Sequence, residues 1–138
     1  MPYQRLPLLA AALWWGSLSA IGFLAVPMLF STLPSPQLAG HVAARLFEAQ
    51  TYVSMACATV LLVLSKRRHE EQPEKWARAA LVFVIAGLLL ALLLQFGAAP
   101  RILARQNLRL WHGLGSGMYV LQWLCALAVL WRLGADRK

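Results

Sequence analysis

His41, Arg45, Glu48, Tyr52 and Met55 follow one another at steps of four and three, so on a helix all five share one face. Arg105, Arg109, His112, Ser116 and Tyr119 repeat the device further along, and Gln95 lies between the two sets. All are embedded in, or border, apolar sequence. Ionisable groups in such surroundings are functional candidates, because leaving them unpaired in hydrocarbon is costly. His41, Arg45, Glu48, Gln95, Arg109 and His112 together predict an outward-facing polar pocket in the outer half of the bundle that binds or passes a small ligand or ion. A plainer expectation stands beside it. Arg45 and Glu48, three apart, can neutralise each other, and arginines at a helix end can snorkel to headgroups.

Imidazole is neutral or charged within the accessible pH range, so His112 is a candidate for holding haem or a metal, or for relaying a proton. A histidine hydrogen-bonded between helices is the simpler use. Met28, Met55, Cys57, Met118 and Cys125 are soft donors suited to monovalent copper. Met55 and Cys57, however, are two apart and point to nearly opposite helix faces, so core filling is the expected role of this set. No metal or cofactor is assigned. The sequence has no GxSxG, no HExxH and no phosphate-binding glycine loop, and Glu48 is the sole acid inside an apolar run, so the reading leans away from an enzyme.

The elements that must carry these residues are long and apolar. The chain has 138 residues, 60% hydrophobic and 13% charged, a surface that water would reject unless lipid covers it. Four spans account for nearly all of it, at about 6–30, 40–64, 76–98 and 108–133. The expected fold is therefore all-α: one polytopic domain over 1–138, a four-transmembrane-helix bundle. Leu33-Pro34-Ser35-Pro36 is read as breaking the first span, Lys66-Arg67-Arg68-His69-Glu70-Glu71 as ending the second, and Pro100 as ending the third. Pro73 and Glu74 suit the first turn of the third helix. The first run is longer than the apolar core of a signal peptide and is read as a retained helix.

The formal charge of +8 sits at the ends of the apolar runs and forms no basic-aromatic surface, so no nucleic-acid partner is expected. It reads instead as topology. Arg5, Lys66, Arg67, Arg68, Lys75, Arg78, Arg132, Arg137 and Lys138 fall on one side, nine in all, against four on the other: Arg45, Arg101, Arg105 and Arg109. The positive-inside rule puts the nine, and both termini, in the cytoplasm of a cell with the chain in its inner membrane. Small residues at four-residue spacing, including Gly16 with Ala20, Gly87 with Ala91, and Gly113 with Gly117, let helices approach closely, within one bundle or between protomers of a homo-oligomer.

Leu13-Trp14-Trp15-Gly16-Ser17, Val26-Pro27-Met28-Leu29-Phe30, Leu38-Ala39-Gly40, Arg45-Leu46-Phe47 and His112-Gly113 resemble elements of the transmembrane protein 205-like family. The resemblance covers essentially the whole chain and implies a membrane bundle with no defined chemistry. The layout is also similar to four-helix membrane proteins that include copper-resistance D proteins and a haem-linked protoporphyrinogen oxidase, a likeness of architecture, which does not fix function. The expectation for function is a membrane protein without an assignable reaction, with haem-dependent redox, copper transport and structural assembly as the alternatives.

Overall fold

The computed structural model describes residues 5–71 and 75–135. Four helices are long and apolar enough to cross a membrane. The first, α1, runs Leu6–Thr32, and α2 runs Pro36–Glu71. The third, α3, begins as Lys75–Leu93 and continues through Leu94–Ala98 into Ala99–Leu103, and α4 spans Leu108–Ala135. At about 1.5 Å per residue each exceeds the roughly 30 Å of hydrocarbon in a bilayer.

Each helix packs against the helix that precedes or follows it, and α1 also packs against α4, so the four close into a ring. Short turns make neighbours antiparallel. The 33–35 and 104–107 turns thus share one end of the bundle, while the start of α1, the end of α2, the start of α3 and the end of α4 share the other.

The buried positions step by four and three in every helix. They are Pro7, Ala11, Trp14 and Leu18 on α1 and Ala80, Val84, Gly87 and Ala91 on α3. On α2, Ala43, Gln50, Ser54, Cys57 and Leu61 keep the phase, as do Gly115, Tyr119, Gln122, Ala126 and Val129 on α4. A 3.5-residue period is that of left-handed knobs-into-holes packing. Many seam residues are small, as helices in lipid require in order to approach. Outside the seams the surface is apolar, with Leu9, Leu13, Phe96 and many other large hydrophobics exposed. Water would not tolerate so continuous an apolar exterior, but lipid covers it without cost.

Prolines shape two helices without ending them. Pro27 and Pro100 each follow a single wide turn, Ala20–Ala25 and Leu94–Ala98, closed by bonds from Val26 N–H to the Ile21 carbonyl and from Ala99 N–H to the Leu94 carbonyl. A proline ring clashes with the carbonyl four residues back, and a π-type turn relieves that clash within a continuous helix. The expectation that Pro100 ends the third span is therefore corrected: the helix continues to Leu103. It closes there in a Schellman motif, with Gln106 N–H to the Arg101 carbonyl, Arg105 N–H to the Ile102 carbonyl, and Arg105 at φ 56°.

The limits of α2 differ from expectation at both ends. Ser35 caps its start, its Oγ accepting from Leu38 N–H at 3.2 Å, with Pro36 in the first turn where its missing donor is harmless. At the other end the helix runs through Lys66–Glu71 rather than stopping at Lys66. Charged residues cannot enter hydrocarbon, yet Lys, Arg and Glu are good helix formers, so the helix leaves the apolar layer without unwinding. Pro73 and Glu74 lie outside the described residues.

Candidate functional site

The residues predicted to form a polar pocket are placed mostly on the outside. His41, Arg45, Arg109 and His112 are exposed, while Glu48 and Gln95 are half-buried. His41 Nδ1 lies 2.8 Å from the Gln37 carbonyl of its own helix. Arg45 donates to Glu48 at 3.1 Å, the pairing their spacing allows. Phase explains the rest of the α2 stripe. It is offset by two residues, about 200° around a helix, from the buried seam of Ala39, Ala43, Gln50 and Ser54. Tyr52 on the same stripe is correspondingly exposed.

Arg105 leaves its proposed stripe altogether, because it sits in the turn before α4 rather than on the helix. His112 is in phase with the α4 seam but lies near the helix start, where it is exposed. Of the glycines and alanine expected to mediate packing, Gly87 lies directly under Trp14: a Cβ there would come 2.6 Å from the indole. Gly16, Gly113 and Gly117 meet open space within this chain, and Ala20 is exposed.

A neutral hydrogen-bond network occupies the centre instead. Gln122 on α4 accepts through Oε1 from Ser54 Oγ of α2 at 2.9 Å and from Trp14 Nε1 of α1 at 3.4 Å. Gln50 Nε2 donates to Ser54 Oγ at 3.3 Å and to Ser17 Oγ of α1 at 3.0 Å, and Ser17 in turn donates to the Trp14 carbonyl. Trp14 and Ser54 are fully buried, with Gln50 and Gln122 nearly so. Three helices are thereby joined by side-chain bonds, including α2 to α4 across the bundle. Gln50 Oε1 and Trp15 Nε1 are buried in this region without a hydrogen-bond partner.

A second set fixes the wide turn of α1. The Tyr119 hydroxyl donates to the Leu18 carbonyl at 2.6 Å, and its ring covers Gly22, where a Cβ would lie 2.7 Å from Cζ. Phe23 and Phe47 meet the same ring edge-on, and Trp123 donates to Ser19 Oγ at 2.8 Å. The hydroxyl thus engages the helix ladder where the turn widens, one of the recognised ways a side chain redirects a helix.

Every Lys, Arg and His whose side chain is described is exposed. No three of His, Cys, Asp and Glu gather among the described residues. Cys57 is buried in the apolar core, and Met28 is exposed on the far side of the α1 wide turn. The sequence reading passed over Ser17, Gln50, Ser54 and Gln122 because it followed charge. The available signal was that Gln50 and Ser54, four apart, are polar residues in phase with Ala39 and Ala43.

The fold and its centre define a four-helix membrane protein with a neutral, mutually hydrogen-bonded interior. The chain belongs to the family described as a domain of unknown function (DUF4149), whose model matches residues 9–110, that is α1 to α3 and the start of α4. Trp14, Ser17, Gln50 and Ser54 fall within the match, and Gln122 beyond it. No curated protein and no solved structure matches the chain. The match gives a domain of unknown function and lends no support to the resemblance to the transmembrane protein 205-like family or to copper-resistance D proteins.

Proposed function

We propose that this chain is a non-enzymatic scaffold of the cell membrane, a self-supporting bundle that acts through its outer surface on lipid and on a membrane partner. The observation that carries the reading is the segregation of polarity. Neutral amides, hydroxyls and indoles are joined to one another inside, while each described basic group faces outward. A conducting or redox centre would need ionisable or ligating groups gathered inward, whereas among the described residues Cys57 and the Tyr119 hydroxyl face inward without a cluster of His, Cys, Asp or Glu around them. The Trp-x-Gly-Ser element behind the transmembrane protein 205-like resemblance fits this reading, because its Trp14 and Ser17 are network members. By the count of nine basic residues against four, both termini face the cytoplasm.

The test is an ultraviolet-visible spectrum and metal analysis of the full chain purified in mild detergent. The scaffold reading expects aromatic absorption alone and no stoichiometric metal. A Soret band, or bound copper, that is lost in His112→Ala would overturn it in favour of a cofactor site on α4.

A further inference from the structure

At the end of the bundle where α3 starts and α4 ends, the two helices leave a groove of about 290 Å³ on their outer side, lined by Phe83, Leu124, Leu127, Ala128, Trp131 and Arg132. All but one of these are apolar. Arg132 is the exception, and its position is specific: the guanidinium carbon lies 5.3 Å from the centroid of the Phe83 ring. Stacking on an aromatic ring holds the face of a guanidinium and leaves its N–H edges free, the geometry that grips a phosphate through two parallel bonds. Trp131 beside it is 76% exposed, as suits a ring at the boundary between hydrocarbon and headgroups. Lys66 and Arg67 of α2 are exposed at the same end of the bundle.

We propose that this groove is a binding site for one anionic glycerophospholipid, with an acyl chain against Leu124 and Ala128 and the headgroup phosphate on Arg132. The groove lies between two spans, so its occupant comes from the bilayer. Its volume, at the small end of ligand sites, fits part of a single chain. Basic pockets between transmembrane helices are a recurring means of holding anionic headgroups. Charge complementarity selects the occupant: a zwitterionic lipid would fill the apolar part equally well and gain less from Arg132. The inference depends on the bundle's placement in a membrane and not on the scaffold reading.

The test is native mass spectrometry of the full, delipidated chain titrated with phosphatidylglycerol or with phosphatidylcholine of the same acyl chains. Phosphatidylglycerol should be retained about fivefold better, the scale expected of one arginine at an anionic surface. Arg132→Gln should remove that preference, and Leu124→Trp, which fills the groove, should weaken retention of both lipids. Arg109→Gln, at the opposite end, should leave the preference intact. If Arg132→Gln does not fold, Arg132→Lys gives the same comparison, with a reduced preference expected because the stacked planar fork is lost. Equal retention of the two lipids by the natural chain, an unchanged preference in the Arg132 variant, or an equal loss in Arg109→Gln would overturn the proposal. Displacement of the lipid by inorganic phosphate would also overturn it, as it would show an anion site that makes no use of the acyl chain.

Discussion

Replacing Gln122 by leucine should destabilise the bundle, whereas replacing Gln50 by leucine should be nearly neutral, although both are buried amides in the same network. Gln122 Oε1 accepts from two donors. Once it is gone, the Ser54 hydroxyl can turn to a carbonyl of its own helix, as Ser17, Ser19 and Thr51 already do. The Trp14 N–H has no such recourse, being in a side chain with no exposure. Stranding a buried donor costs about 1–3 kcal/mol, and interhelical bonds in lipid average about 0.6 kcal/mol with a maximum near 1.7, because the unfolded chain in the membrane also finds partners. The expected loss is therefore about 1–2 kcal/mol. Gln50 differs because it acts on the network only as a donor, and its own carbonyl oxygen is already without a partner. Leucine there removes that unpaired oxygen and strands no donor, so the change should stay within about 0.5 kcal/mol. The assay is reversible unfolding in mixed micelles, followed by helical circular dichroism, with Trp14→Phe completing a double-mutant cycle against Gln122→Leu. Equal costs for the two glutamine changes, or strict additivity of Trp14→Phe with Gln122→Leu, would refute the assignment of Gln122 as the acceptor that secures Trp14.

In the same assay Gly22→Ala and Gly87→Ala should each cost about 1–3 kcal/mol, because the added methyl meets the rings of Tyr119 and Trp14, both of which are buried and held by hydrogen bonds. Gly16→Ala and Gly113→Ala meet open space and should be neutral or slightly stabilising in the monomeric chain, as alanine is the better helix former. Arg45→Gln and Glu48→Gln should each shift stability by no more than about 0.5 kcal/mol, since the pair is solvent- or headgroup-facing; a larger effect on stability would revive the polar pocket. Reporter fusions after Lys138 and within the 72–74 connection should be active in the cytoplasm, and fusions at Pro34 and Gln106 on the opposite side; the reverse pattern would invalidate the charge count.

Class and span number were determined by the sequence itself. Four long, continuously apolar runs with basic ends specify helices, because only helices and closed barrels satisfy their own backbone in hydrocarbon and barrel strands are shorter and alternate apolar with polar residues. The approximate limits of α1 and α4 follow from the same runs. The π-type turns at Pro27 and Pro100 do not, because whether a proline ends a helix or widens one turn depends on whether neighbouring helices and side chains satisfy the freed groups. Which of two equally regular faces turns inward was decided by tertiary structure. In a soluble protein the polar stripe marks the outside and the apolar stripe the core, but here lipid makes both faces of a helix apolar, and charge is no guide to the interior. The stripe from His41 to Met55 is as regular as the seam that carries Gln50 and Ser54. Only the close approach of Trp14, Ser54 and Gln122, brought together from three helices, distinguishes the face that turns inward.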